Sequence, residues 1–506
     1  MDVLRTTEAP PPVGVAAFDR RVLAVGGVVF AVLMALSTRY GFQRDELYFL
    51  DCARHLQAGY VDQPMLAPLL ARVSLELFGE WLPGLRLWPA LAAGATVVIG
   101  GLTAREFGGA RRVQLFAAVA TATMPALWAA AHVANTTPYA VLALAALAFV
   151  VARIGRTGEP RWWLLAGLVA GLGLANNHQA AFFAFAVVAG ALLSGGRRLL
   201  FNGWFAGGVA IAAAFAGPEI WWQAQHGWAT IEMTRKLNQE NGGLPNAPVW
   251  VVGQLLMASL ALVWVWAAGL RHLWRTGRPL WRALVWAYGL LFVLYAVTTG
   301  VKVYYLMGAY VYLLAAGAVA VDGWLYARRR RIRILAVATA LGTAVFAALL
   351  LPVLPPTGIG PRHAMDATLT DTIGWPELVD TVGTVWTSLP PPQRAAAVIF
   401  TENYSEAAAV NELGRGRGLP TAVSGHNSQW WWGPGNPGAT TVIAVAPGTA
   451  SGYTGYLGRF FTDVREVATV TNPYGVRNIE SGGHVYLCTG LREPWSQLWP
   501  RLRHYD

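Results

Sequence analysis

The chain has 506 residues, of which 55% are hydrophobic and only 13% charged, with a mean hydropathy of +0.41. That composition excludes an ordinary soluble domain and points to a polytopic membrane protein. A net charge of +11 would suggest nucleic acid in a soluble chain. Here the arginines gather in short loops between apolar runs, which is a topology signal, so nucleic acid is not an expected partner.

A spanning helix takes about 20 apolar residues, and eleven apolar runs occur before residue 354. Arg20 and Arg21 precede the first, 22–37. A charged stretch, 38–68, separates it from the second, 87–104. The third and fourth are 113–133 and 138–151. A pair at 162–175 and 180–193 is broken at Asn176-Asn177-His178. The seventh, 199–216, is followed by a long polar connection, 218–248. The remaining four are 249–270, 283–298, 305–325 and 334–351. No cleavable signal is expected at the polar, proline-bearing start.

Arginine clusters fall before the first run and after the second, fourth, sixth, eighth and tenth. The positive-inside rule therefore puts the N-terminus and those loops in the cytoplasm. The 38–68 stretch, the 218–248 connection, Lys302 and everything beyond the eleventh run fall on the opposite side. Past residue 353 the pattern changes to short β-like runs at 395–400, 421–423, 441–445 and 485–488, with a helical segment at 404–413. The expected architecture is a polytopic α-helical membrane domain over 1–353 and a small extracytoplasmic α/β domain over 354–506. Only Cys52 and Cys488 are present, so no disulfide scaffold or metal-finger spacing exists, and two free thiols are expected.

The 38–68 stretch carries Arg39, Arg44, Asp45, Glu46, Asp51, Arg54, His55 and Asp62 against a membrane helix end. A carboxylate of the Asp45-Glu46 pair can act as general base toward an acceptor hydroxyl, or pair with Arg39 or Arg44 at the interface. Ionisable groups held near a bilayer weigh toward function. Asp62, in Gly59-Tyr60-Val61-Asp62-Gln63-Pro64, reads on its own as a helix cap. Lys302 is one of two lysines, the other being Lys236. Beside Tyr304-Tyr305 it can hold a lipid phosphate or snorkel from an aromatic belt. A polar break such as Asn176-Asn177-His178-Gln179 lines a cavity more often than it faces lipid, although His178 reads equally well as a satisfied buried histidine. His226 lies in a tryptophan-rich segment, Trp221 to Trp228, suited to stacking on a ligand or anchoring at the interface. No P-loop, Gly-x-Gly-x-x-Gly, HExxH or Gly-x-Ser-x-Gly motif occurs.

Arg44-Asp45-Glu46-Leu47-Tyr48-Phe49, then Gly59-Tyr60 and Asp62-Gln63-Pro64, resembles the first external loop of the dolichyl-phosphate-mannose protein mannosyltransferases. The closer likeness is to the bacterial branch that includes the aminoarabinose lipid A transferases. Later landmarks keep the family order: Gly171-Leu172-Gly173-Leu174 with Asn176 to His178, the Trp221 to Trp228 segment, Lys302-Val303-Tyr304-Tyr305-Leu306, Asn403-Tyr404, Ser424 to Ser428 and Trp432-Gly433-Pro434. Two departures stand out. Gln63 replaces the usual His before Pro64, and Asn177 replaces a common Lys, which leaves Lys302 as the more important cation.

The resemblance implies a GT-C glycosyltransferase of the bacterial inner membrane that takes a sugar from a polyprenyl-monophosphate donor by inverting displacement. The acceptor would be a glycan, lipid or protein, met among membrane lipid. Asp45 would be the base and Glu46 would help place acceptor or donor. Lys302, Tyr304, Tyr305 and His178 would stabilise the departing lipid phosphate. Arg44, Tyr60, Asp62, Gln63 and His226 complete the expected substrate contacts. No cofactor is implied, a divalent cation being the one candidate. The competing class is a transporter or flippase of a lipid-linked saccharide, which should place charges at the bilayer midplane in repeated halves; here they gather at one face.

Overall fold

The computed structural model describes residues 14–241, 247–298, 302–359, 367–450 and 452–505; residues 1–13, expected in the cytoplasm, lie outside them. In chain order the helices are α1 (Arg21–Leu36), α2 (Arg44–Arg54), α3 (Leu66–Phe78), α4 (Leu82–Glu106), α5 (Arg111–Ala122), α6 (Pro125–Ala131), α7 (Thr137–Thr157), α8 (Trp162–Leu174) and α9 (Gln179–Leu193). They continue with α10 (Arg197–Leu200), α11 (Gly203–Gln225), α12 (Ala229–Asn241), α13 (Ala247–Met257), α14 (Val263–Arg275), α15 (Pro279–Thr298), α16 (Met307–Tyr326) and α17 (Arg329–Leu350).

By length and composition, α4, α7, α11, α15, α16 with the turn before it, and α17 can each cross a membrane. Two more pairs qualify together but are bent, α5–α6 by 57° and α13–α14 by 81°, and α1, α8 and α9 are shorter apolar helices. These eleven units follow the eleven apolar runs in order. Helices are the expected solution, because lipid offers backbone N–H and C=O groups no partner outside the segment. The breaks have local causes. Met124 is extended ahead of Pro125, as a residue before proline prefers, and Ser259 between α13 and α14 takes φ +69°. Helix α16 is the buried centre: Met307 through Ala316 are all 1% exposed or less, apart from small Gly308. Its neighbour α14 comes so close that a Cβ at Gly317 would overlap the carbonyl of Val265, the small-residue contact by which membrane helices pack.

Two expectations change. The 218–248 connection is not a loop at its start, since α11 runs through Pro218 to Gln225 and α12 follows. Membrane helices tolerate such a proline where neighbours satisfy the freed carbonyl. The charged 38–68 stretch also carries helix, as α2 and the beginning of α3.

Beyond α17 come α18 (Ala367–Thr370), α19 (Trp375–Ser388), α20 (Pro391–Ala395), β1 (Ala397–Thr401), α21 (Tyr404–Leu413), β2 (Val423–Ser424), β3 (Thr441–Ala446), β4 (Phe461–Thr469) and β5 (His484–Leu491). The sheet order is β2-β1-β3-β5-β4. It is parallel from β2 to β3 and antiparallel from β3 to β4. Strands β1 and β3 are buried throughout and read as continuous apolar runs, as central strands should. The edge strand β4, FTDVREVAT, was not anticipated, because its charges on an exposed edge erase the apolar signal. Leu47, Tyr48 and Cys52 of α2 share one core with Leu378, Val379 and Val382 of α19 and Ala407 to Val410 of α21. Helix α2 is thus the part of the first polar stretch around which the C-terminal domain packs. Cys52 and Cys488 are buried and unpaired.

Candidate active site

Helix α2 begins in a capping box. The Gln43 side chain accepts from the Asp45 N–H at 2.7 Å, and the Glu46 carboxylate accepts from the Gln43 N–H at 2.8 Å. Both acids sit in the first turn, where the helix dipole favours negative charge. One position apart, they point in different directions.

Glu46 turns inward and is fully buried. Arg86 of α4 grips it with two bonds of 2.9 and 2.8 Å, and the Ala134 N–H donates to it at 2.8 Å. Arg86 also donates to the carbonyls of Ser37 and Gly41, so one ion pair ties the ends of α1, α2 and α4. The structure thus places Glu46 away from the cavity described next, with its oxygens bonded to Arg86, the Gln43 N–H and the Ala134 N–H. Arg86 stands outside the residues that the motifs single out, although a lone arginine inside an apolar helix is a detectable signal.

Asp45 turns outward. Its side chain is 38% exposed and lies 3.9 Å from Arg44, and it accepts a 3.1 Å hydrogen bond from the Tyr404 hydroxyl of α21. Burial pushes the Tyr404 hydroxyl well above its ordinary pKa, so Tyr404 remains the donor. Asp45 opens on a cavity of about 1130 Å³ built from both halves of the chain.

That cavity gathers Asp62, Gln63, His178, Lys302, Tyr304 and Tyr305 onto its walls with Asp45. Asp62 does not cap α3, whose N-cap is Met65 without a side-chain bond. It accepts from the Tyr48 hydroxyl at 3.0 Å, and burial pushes its carboxyl up to about 7. His178 lies 3.8 Å from Glu219, and burial holds its imidazole below the usual value, so it is neutral at pH 7. Lys302 has its ammonium 6.0 Å from the Tyr305 ring centre and no ion pair among the described residues. Phe182, Leu256, Leu294 and Leu349 add apolar wall.

Three expected contacts are elsewhere. Tyr60 is buried and donates to the Cys52 carbonyl at 3.0 Å, fastening α2 to the turn after it. His226 stacks on Trp222 at 3.9 Å and meets Trp431 edge-on. Arg44 is turned beneath Tyr404, 3.2 Å from its hydroxyl and 5.2 Å from its ring centre. None of the three lines the cavity.

Residues 62–222 match the family model described as dolichyl-phosphate-mannose-protein mannosyltransferase. No curated protein matches the chain. Among solved structures, ArnT from Cupriavidus metallidurans bound to undecaprenyl phosphate superposes with TM-score 0.60 at 16% identity, over 92% of this chain and 97% of that chain. Its apo state gives 0.58 at the same identity and coverage. The arabinofuranosyltransferase AftD from Mycobacteria gives 0.53 at 14% identity, over 96% of this chain and 41% of that chain. The fold is GT-C.

In this GT-C chain the motif likeness and the superposition agree over nearly the whole length. Tyr404 and Asn427 are cavity residues that the sequence offered only as family landmarks, because nothing local says that a strand-to-helix turn 359 residues away reaches Asp45. Among the described residues no group of three or more His, Cys, Asp or Glu is arranged to hold a metal ion.

Proposed function

We propose that this protein is an integral-membrane glycosyltransferase that moves a sugar from a polyprenyl-monophosphate donor to an acceptor hydroxyl on the extracytoplasmic face, inverting the anomeric centre. The observation that carries the reading is one cavity presenting an exposed carboxylate, Asp45, and a cation, Lys302, without an ion pair among the described residues, with apolar wall between the helices. The similar ArnT structure holds undecaprenyl phosphate, a ligand with the same needs of cation and apolar surface. The arginine pattern supports the extracytoplasmic side.

In this mechanism the acceptor oxygen attacks the anomeric carbon as Asp45 takes its proton, and the bond from that carbon to the phosphate oxygen breaks. The electron pair leaves with the polyprenyl phosphate. General-base help of this kind contributes about 10²–10⁴-fold. Tyr404 holds Asp45 in position. Lys302 meets the charge that grows on the leaving phosphate, and neutral His178, Tyr304 and Tyr305 offer hydrogen-bond donors around it; such preorganised donors are usually the largest catalytic contribution. Asp62, half protonated near pH 7, can donate to a sugar hydroxyl. The acceptor is a glycan, a lipid or a protein.

The test uses purified full-length protein in lipid nanodiscs with a panel of synthetic polyprenyl-phosphate sugars. Release of polyprenyl phosphate that needs Asp45 and a hydroxyl-bearing acceptor supports the reading. Sugar lipid carried across a vesicle membrane without cleavage would overturn it in favour of a transporter.

A further inference from the structure

Helix α12 has two working faces. Thr230, Met233, Thr234, Leu237 and Asn238 recur at helical spacing and line the catalytic cavity. Ile231, Glu232, Arg235, Lys236 and Gln239, on another side of the same helix, line a separate groove of about 740 Å³. The opposite wall of that groove is the C-terminal tail, Arg503 to Tyr505.

The groove is built of cations. Arg235, Lys236 and Arg503 face one lining carboxylate, Glu232, which is 3.8 Å from Arg503. Lys236 lies a loose 3.9 Å from Glu240, and Arg235 has no ion pair among the described residues. Arg503 is stiffened by two rings, 5.3 Å from the centre of Trp430 and 5.4 Å from that of Tyr505. A planar guanidinium fixed in this way presents a donor fork suited to phosphate oxygens. The Tyr505 side chain is buried and interacts with Trp431 and Arg503, which steadies this wall of the groove. Trp228 and Ile231, each 46% exposed, add apolar surface at the rim.

We infer that the groove between α12 and the tail is a second binding site, for a phosphate-bearing anion: a lipid head group or a soluble phosphoryl compound. The site adjoins the catalytic cavity twice, through α12 and through the tail. His504 exchanges backbone hydrogen bonds with Gly425 and Asn427, each 3.0 Å, and Asn427 lines the catalytic cavity. The inference is independent of the transfer reaction and is tested without it.

The experiment measures equilibrium binding of labelled inorganic pyrophosphate and of dihexanoyl phosphatidic acid to the full chain in phosphatidylcholine nanodiscs. Saturable binding is expected, weakened at least tenfold in Arg235→Glu/Lys236→Glu and in Arg503→Gln, and retained in Lys302→Ala. Tighter binding of phosphatidic acid identifies a lipid head group; tighter pyrophosphate identifies a soluble anion. The inference is overturned by the absence of saturable binding, by equal binding in the groove variants, or by binding lost only in Lys302→Ala. Arg503 packs on two aromatic rings, so the α12 double variant on an exposed face keeps the test decisive if the tail variant misfolds.

Discussion

The Tyr404 hydroxyl donates a 3.1 Å hydrogen bond to the Asp45 carboxylate, joining the C-terminal domain to the first turn of α2. If Asp45 is the base, the C-terminal domain holds the catalytic carboxylate in place. Hydrogen bonds to charged groups contribute roughly 1.5–3 kcal/mol, and about 1.4 kcal/mol is tenfold in rate. Tyr404→Phe should therefore lower the transfer rate by roughly ten- to a hundredfold while leaving binding of polyprenyl phosphate unchanged. Single-turnover kinetics and a lipid-binding titration read the two separately.

Glu46 and Asp45 should respond in opposite ways. Glu46→Gln leaves Arg86 buried with a lost charge partner, and breaking such a pair costs about 3–5 kcal/mol. The expected outcome is a sharp loss of thermal stability, partly recovered in Glu46→Gln/Arg86→Met. Differential scanning fluorimetry in detergent checks this; a fully stable, inactive Glu46→Gln would instead restore Glu46 as a catalytic group.

This division of labour marks the limit of what the sequence alone could tell. Eleven apolar runs were enough to lay out the apolar helices in order, and the short runs of β1, β3 and β5 announced the sheet. Asp45 and Glu46 are adjacent in sequence and identical in motif value. Only the burial of Arg86, forty residues away, separates the inward carboxylate from the outward one. Taken alone Asp62 reads as a helix cap, because its partner Tyr48 lies on another element, whose proximity no local pattern encodes; only the family resemblance offered it as a substrate contact. Tyr60 and His226 had the right residue types near the right motif, but their rings are spent on packing.

Asp62 gives stability a pH signature. Its carboxyl is raised from 3.8 to about 7 by burial, so the folded state keeps a proton that the unfolded chain releases near pH 4. The stabilisation linked to that proton is complete below about pH 3.8 and is lost as pH rises through 7. Over that window it amounts to something on the order of 4 kcal/mol. Between pH 5 and 8 the melting temperature should fall more steeply in the wild type than in Asp62→Asn. Parallel curves would remove Asp62 as the source.

Lys302→Ala should weaken donor binding at least tenfold and acceptor binding little, since its ammonium has no protein counter-ion among the described residues and is free for a phosphate. Lys302→Arg should recover part of the affinity by charge while losing positional fit. Titration with undecaprenyl phosphate checks both, and unchanged affinity in Lys302→Ala would reassign the residue to the aromatic belt.

The most direct measurement is sugar transfer by purified Asp45→Asn in nanodiscs, taken together with its melting temperature and its affinity for undecaprenyl phosphate. The account predicts a folded protein that binds the lipid as the wild type does and transfers at least a hundredfold more slowly. Transfer at the wild-type rate would contradict it, and the base would have to be sought elsewhere on the cavity wall.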